Sequence, residues 1–231
     1  MIKKNIPNII TAANLFTGAV GVYFASQFNF EAVAICIVLA AFFDFLDGML
    51  ARLLKVHSEI GKQLDSLADM VTFGFLPSYI LFQLLEMNDA GVLSFVAFLI
   101  AVFSAFRLAK FNIDTRQSEE FIGLPTPANA LFIGFLFSLE EIEMLSFLFS
   151  TPTLLIISIV FSLLLVAELP MIALKFKNFN FKENLFRYLT IIMAIILISI
   201  FQFSAVPVVI LLYLLLSMIK FAFFSKNEVQ V

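Results

Sequence analysis

Between Asp44 and Asp69 the chain reads DFLDGMLARLLKVHSEIGKQLDSLAD, which places four carboxylates in a sequence that is otherwise mainly apolar. On a helix Asp44 and Asp47 stand three residues apart, and Asp65 and Asp69 four, so each pair projects from one face of its own helix. Two such helices facing each other bring the carboxylates together. Close anions repel, and an ionised Asp at membrane depth costs roughly 2.5 to 3.5 kcal/mol even on the lenient insertion scale. A divalent cation removes both penalties. Oxygen ligands with no Cys or His beside them favour Mg²⁺, Mn²⁺ or Ca²⁺ over zinc. Gly48 leaves room for a ligand next to the backbone, and Arg52, one turn further on, carries a planar donor fork suited to phosphate.

The elements that position these residues are membrane helices. Of 231 residues 62% are hydrophobic, and the mean hydropathy of +1.05 excludes an ordinary soluble domain. The expected fold is all-α: a polytopic bundle forming one membrane-embedded domain over 1–231, with the chemistry in 44–69. The single Cys36 excludes a disulfide within the chain. No P-loop, no Ser-His-Asp or Cys-His set and no internal repeat is present, so neither a covalent enzyme intermediate nor a nucleic-acid partner is indicated. His57, the only histidine, falls in the turn between the two Asp helices and reads as a solvated loop residue.

Apolar runs of about 20 residues predict eight spanning helices near 9–28, 32–54, 62–86, 91–110, 128–148, 153–173, 187–204 and 206–224. The last two are separated only around Ser204–Val206, and their joint length favours two passes over one kinked rod. With this division Lys3, Lys4, Arg52, Lys55, Lys62, Arg107, Lys110, Arg116, Lys175, Lys177, Lys182, Arg187, Lys220 and Lys226 fall on one side. Glu31, Glu86, Asp89, Glu140, Glu141 and Glu143 fall on the other. The positive-inside rule then puts both termini and the Asp cluster at the cytoplasmic face of a bacterial or archaeal type inner membrane. The last two helices read as packing elements.

The pattern Asp44-x2-Asp47-Gly48-x2-Ala51-Arg52-x8-Gly61-x3-Asp65-x3-Asp69 resembles the signature of the CDP-alcohol phosphatidyltransferases at all eight of its fixed positions. Three further runs resemble the phosphatidylserine synthase branch of that family. They are IPN-x2-T-x2-N-x3-G from Ile6, RLAKFN from Arg107 and GLPTPA from Gly123.

The resemblance implies CDP-diacylglycerol as phosphatidyl donor, L-serine as acceptor and one or two divalent ions, Mg²⁺ or Mn²⁺. It makes Asp44, Asp47, Asp65 and Asp69 the metal ligands and Asp69 also the general base. Gly48, Ala51, Arg52 and Gly61 would border the nucleotide, and the stripe Asn8, Thr11 and Asn14, otherwise readable as helix capping and packing, would line its entrance. Arg107, Lys110 and Asn112 would bind the acceptor, with the prolines of GLPTPA holding a turn over the site. A homodimer among membrane lipids is also implied. Two other readings compete: the same direct displacement onto glycerol 3-phosphate or an inositol phosphate, and a divalent-cation transporter. The first lacks a second basic cluster, and the second leaves Gly48, Ala51, Arg52 and Gly61 without a purpose.

Overall fold

The computed structural model describes residues 2–56, 58–114, 121–174, 180–181 and 183–224. His57, Arg116, Lys175, Lys177, Lys182 and Lys226 lie outside the described residues.

Helices α1 (Ile2–Ser26) and α2 (Phe30–Leu53) form an antiparallel pair. They reverse at Phe28, whose φ of 57° is uncommon for a bulky residue, and α2 is capped by Asn29 accepting from the Ala32 amide at 3.1 Å. A second reversal follows at Lys55 (φ 53°), after which Ser58 caps α3 (Glu59–Asp69) by accepting from the Gly61 amide at 3.2 Å. Directly beyond Asp69 the rod widens into a π-helical turn, Met70–Phe75, and continues as α4 (Leu76–Met87). This rod is the axis of the bundle. Phe73, Leu76, Leu81 and Leu85 are fully buried on it, against α1, α2 and the elements that follow. Close approach rests on small residues, as usual where lipid removes the hydrophobic drive between helices. A Cβ at Gly21 would stand 2.6 Å from Leu76 Cδ2, and one at Gly18 would stand 2.2 Å from Thr72 Oγ1.

A 3₁₀ stretch, Gly91–Phe98, leads into α5 (Leu99–Ile113). The short strand β1 (Phe121–Ile122) pairs antiparallel with β2 (Pro170–Met171), Phe121 opposite Met171. This two-residue ladder is a small addition to the all-α expectation. It holds the GLPTPA segment in place, together with Gly123 N donating to Leu169 O at 2.8 Å and Leu124 N to Leu164 O at 2.9 Å. Gly123 has φ 77° and a Cβ there would meet Leu165 O at 2.5 Å, so glycine is required. Helix α6 (Thr126–Gly134) starts on the motif's prolines, and α7 (Thr151–Val166), α8 (Leu185–Phe201) and α9 (Ala205–Ile219) complete the chain.

Among the described residues five stretches are long and apolar enough to cross a membrane: Asn5–Ser26, Phe30–Leu53, Glu59–Met87, Gly91–Ile113 and Leu185–Ala222. A bent pair, Glu143–Phe149 with Thr151–Val166 at 66°, passes the same test only when its two helices are taken together, as a broken span or a re-entrant loop. The last stretch is a hairpin. Thr190 of α8 and Tyr213 of α9 line one cavity, whereas a straight helix would hold them roughly 35 Å apart. The expected span 128–148 differs: α6 stops at Gly134 and the chain continues as 3₁₀ turns, Leu136–Leu139 and Glu143–Phe149. Its apolar run ends at Leu139, before Glu140, Glu141 and Glu143, and Gly134 is pressed so closely on Ile37 that a Cβ would stand 2.3 Å from Cδ1.

Candidate active site

The C-terminal half of α2 and the whole of α3 bring Asp44, Asp47 and Asp65 together. One carboxylate oxygen from each lies within 4.8 Å of the others. Among the described residues no Lys or Arg forms an ion pair with any of the three, and Asp65 Oδ1 is buried with no hydrogen-bond partner. Three hard anionic oxygens at this separation, one of them orphaned, fit a divalent cation. Asp69, one turn further along α3, stands outside this close trio. Its Oδ1 accepts from Asn14 Nδ2 at 3.2 Å.

Two cavities flank the cluster. The smaller, about 330 Å³, lies between α1, the end of α2 and the start of α3. Asn8, Thr11, Asp47, Gly48, Ala51, Gly61 and Asp65 line it, joined by Ser58, Glu59 and Lys62. Thr11 Oγ1 also holds Asp47 Oδ2 at 2.6 Å, so one side chain both borders this cavity and orients a member of the trio. Gly61 is here a packing requirement, since a Cβ would stand 2.7 Å from Asn8 Oδ1. Gly48 is the reverse case: nothing lies within 4 Å of where its Cβ would be. Gly48→Leu therefore leaves the fold intact, with the helix favoured by about 1 kcal/mol, while its side chain enters the cavity. The expected result is an unfolding midpoint equal to or above that of the parent, with a KM for a CDP-linked lipid raised on the order of 30-fold. An unchanged KM would separate this cavity from the nucleotide.

The larger cavity, about 910 Å³, has mainly apolar walls. Asp44, Asp65, Asp69 and Arg107 line it together with Pro125, Thr126 and Pro127 of the GLPTPA motif, and of the turn expected there only the stretch up to Pro125 is non-helical, since Thr126 and Pro127 open α6. Ile191, Ile195 and Ile198 of α8 and Val209, Ile210 and Tyr213 of α9 also line it. These two helices do more than pack, contrary to the sequence reading. The isolated polar residues Thr190, Ser199 and Tyr213 in otherwise apolar runs could have signalled this. Arg107 is 7% exposed, and its Nε has no hydrogen-bond partner.

Four expected site residues are placed elsewhere. Arg52 is exposed on the last turn of α2 and lines neither cavity. Asn14 is fully buried and likewise lines neither. Lys110 pairs with Glu168 at the exposed surface. Asn112 donates to Ser66 Oγ at 2.8 Å, and its carbonyl accepts from Lys62 Nζ at 2.6 Å, which ties the end of α5 to α3.

A carboxylate trio with a cavity on either side, carried on helices fit to cross a bilayer, defines a membrane protein with a candidate metal site. The chain belongs to the CDP-alcohol phosphatidyltransferase family, whose model matches residues 4–196. It is thus an integral membrane enzyme of the transferase class. Among its relatives, a CDP-diacylglycerol–serine O-phosphatidyltransferase of Helicobacter pylori is 31% identical over 231 aligned residues, covering 96% of this chain and 95% of that protein. Proteins of the same name from Bacillus subtilis (36% identical; 53% of this chain, 69% of that one) and Methanocaldococcus jannaschii (37%; 56% and 59%) match shorter stretches.

Proposed function

We propose that this chain transfers the phosphatidyl group of CDP-diacylglycerol to the hydroxyl of L-serine, giving phosphatidylserine and CMP. The observation that carries the reading is the position of Asp65, which is on the wall of both cavities. A nucleotide seated against Asn8, Thr11, Gly48 and Ala51 would direct its diphosphate to the trio, and the diacylglycerol would continue into the apolar cavity. The names of the relatives support serine as acceptor, as does Arg107, a buried cation suited to the serine carboxylate.

In this reading Asp44, Asp47 and Asp65 hold a divalent ion, Mg²⁺ or Mn²⁺, with Asp69 available to a second. When bound, the metal neutralises the diphosphate and stabilises departing CMP. Asp69, beside the acceptor in the large cavity, takes the serine hydroxyl proton as the serine oxygen bonds to the lipid-linked phosphorus. The bond from that phosphorus to the oxygen of CMP breaks in the same displacement. Because the aspartates are consumed by metal and proton transfer, Arg107 is left to orient the acceptor.

The chain forms a single domain, crosses the membrane eight times if α6 with its 3₁₀ extension counts as a pass, and assembles as a homodimer by the family resemblance. Its basic end faces the cytoplasm, so water-soluble serine reaches the site from within. In support, Lys62, Lys110 and Asn112 meet at one end of the bundle, while Glu31, Glu140 and Glu141 line a separate cavity with Gln202.

The test is CMP release from CDP-diacylglycerol by the purified chain with serine, glycerol 3-phosphate, an inositol phosphate or no acceptor. Release is expected with serine alone, abolished by chelation and restored by Mg²⁺ or Mn²⁺. Release that prefers another acceptor would overturn the serine assignment, and metal flux into liposomes without any CMP would overturn the enzyme.

A further inference from the structure

The α1 residue Asn14 touches neither cavity, yet it keeps a polar side chain at 0% exposure in the middle of the bundle. Its amide nitrogen donates to Asp69 Oδ1 at 3.2 Å, while its own Oδ1 is buried without a hydrogen-bond partner. Leaving such an acceptor unsatisfied costs about 1 to 3 kcal/mol, which an apolar residue of similar size would avoid. The reverse amide orientation is worse, because it sets two oxygens against each other. The backbone of Asn14 is fixed too: its carbonyl accepts from Thr72 Oγ1 at 3.3 Å, in the π-helical turn that begins directly after Asp69. One turn along α1, Gly18 brings the two backbones close enough that a Cβ would stand 2.2 Å from Thr72 Oγ1. One residue thus anchors both the carboxylate of Asp69 and the turn that follows it.

We infer that Asn14 is a positioning residue for Asp69: it occupies one carboxylate oxygen and leaves the other for the acceptor's proton. The inference rests on the reading of Asp69 as general base. It reassigns Asn14 from the nucleotide wall, which its burial excludes.

The test compares Asn14→Ala, Asp69→Glu and the double variant of the full chain. Asn14→Ala is expected to lower kcat on the order of 30-fold, with KM for CDP-diacylglycerol and for serine and the Mn²⁺ affinity all within about twofold of the parent. In the Asp69→Glu background, where one added methylene displaces the carboxylate from its parental place, the same change should alter the rate less than about twofold. An equal loss in both backgrounds would mark a merely structural role, and a raised KM for the lipid would restore a nucleotide contact. An activity-independent readout is labelling of metal-free protein by a hydrophobic carbodiimide, mapped by mass spectrometry. Asn14→Ala should change labelling at Asp69 and leave Asp44 unaltered, and an unchanged Asp69 would overturn the inference. A parent chain that releases no CMP would count against the proposed reaction, while the labelling result would still decide the role of Asn14.

Discussion

Asp65→Asn is expected to lower CMP release by at least about 10³-fold and, at the same time, to stabilise the metal-free protein. Both effects have one origin. Asp65 supplies an oxygen to the trio, lines both cavities, and has its buried Oδ1 unpartnered. The amide keeps the shape but removes an anionic ligand, so affinity for a hard cation falls along with the neutralisation of the diphosphate. Without metal the parent holds three buried or half-buried carboxylates with oxygens within 4.8 Å of one another, each disfavouring the ionised form of the others, and removing one relieves that repulsion and burial cost. Linkage gives the measurable signature. A ligand at 100 times its dissociation constant stabilises the folded state by about 2.7 kcal/mol. The parent should therefore melt several degrees higher with Mn²⁺ than without it. Asp65→Asn should start above the metal-free parent and respond little to Mn²⁺. A variant with the parental Mn²⁺ response would remove Asp65 from the metal site.

This trade of stability for chemistry also explains why the site was legible in the sequence. Carboxylates inside membrane helices are costly enough that their presence points to a ligand, and intervals of three and four residues fix which face they share. Convergence of Asp44, Asp47 and Asp65 follows from that spacing once α2 and α3 both pack against α1. The separate place of Asp69 does not, because it depends on how α3 lies against α1 and on the π-helical turn that starts at Met70. The walls built by α8 and α9 were hidden for another reason: a membrane helix facing lipid and one facing an apolar cavity present the same composition. Helix α6 was over-extended because a window of about 20 residues averages Glu140 and Glu141 into the preceding apolar run. Asn112 looked like an acceptor ligand and is instead half of a clamp between α5 and α3, a pairing that only the fold brings about.

Under the proposed reaction Arg107 gives the second large effect, expected on the acceptor alone. The residue sits on α5 within the expected RLAKFN run, but of Arg107, Lys110 and Asn112 only Arg107 reaches the large cavity, where it shares the wall with Asp69 and Tyr213. In the proposed reading a guanidinium at 7% exposure with an unpartnered Nε suits the acceptor's carboxylate, whereas Lys110 spends its charge on Glu168 at the surface. Losing a buried charge pair costs about 2 to 5 kcal/mol, equivalent to roughly 30-fold or more in affinity. Arg107→Met, which keeps much of the side-chain bulk, should thus raise the KM for serine at least about 30-fold while KM for CDP-diacylglycerol and Mn²⁺ affinity stay within about twofold. Serinol, which replaces the serine carboxylate by a hydroxymethyl group, sharpens the test. The parent should discriminate strongly against it, and Arg107→Met should narrow that preference, because the missing carboxylate no longer has a partner to lose. Should the variant lose affinity for the CDP-linked lipid as severely as for serine, Arg107 would belong to the diphosphate, and the acceptor would have to be held by Thr126, Thr190 or Tyr213 on the same wall.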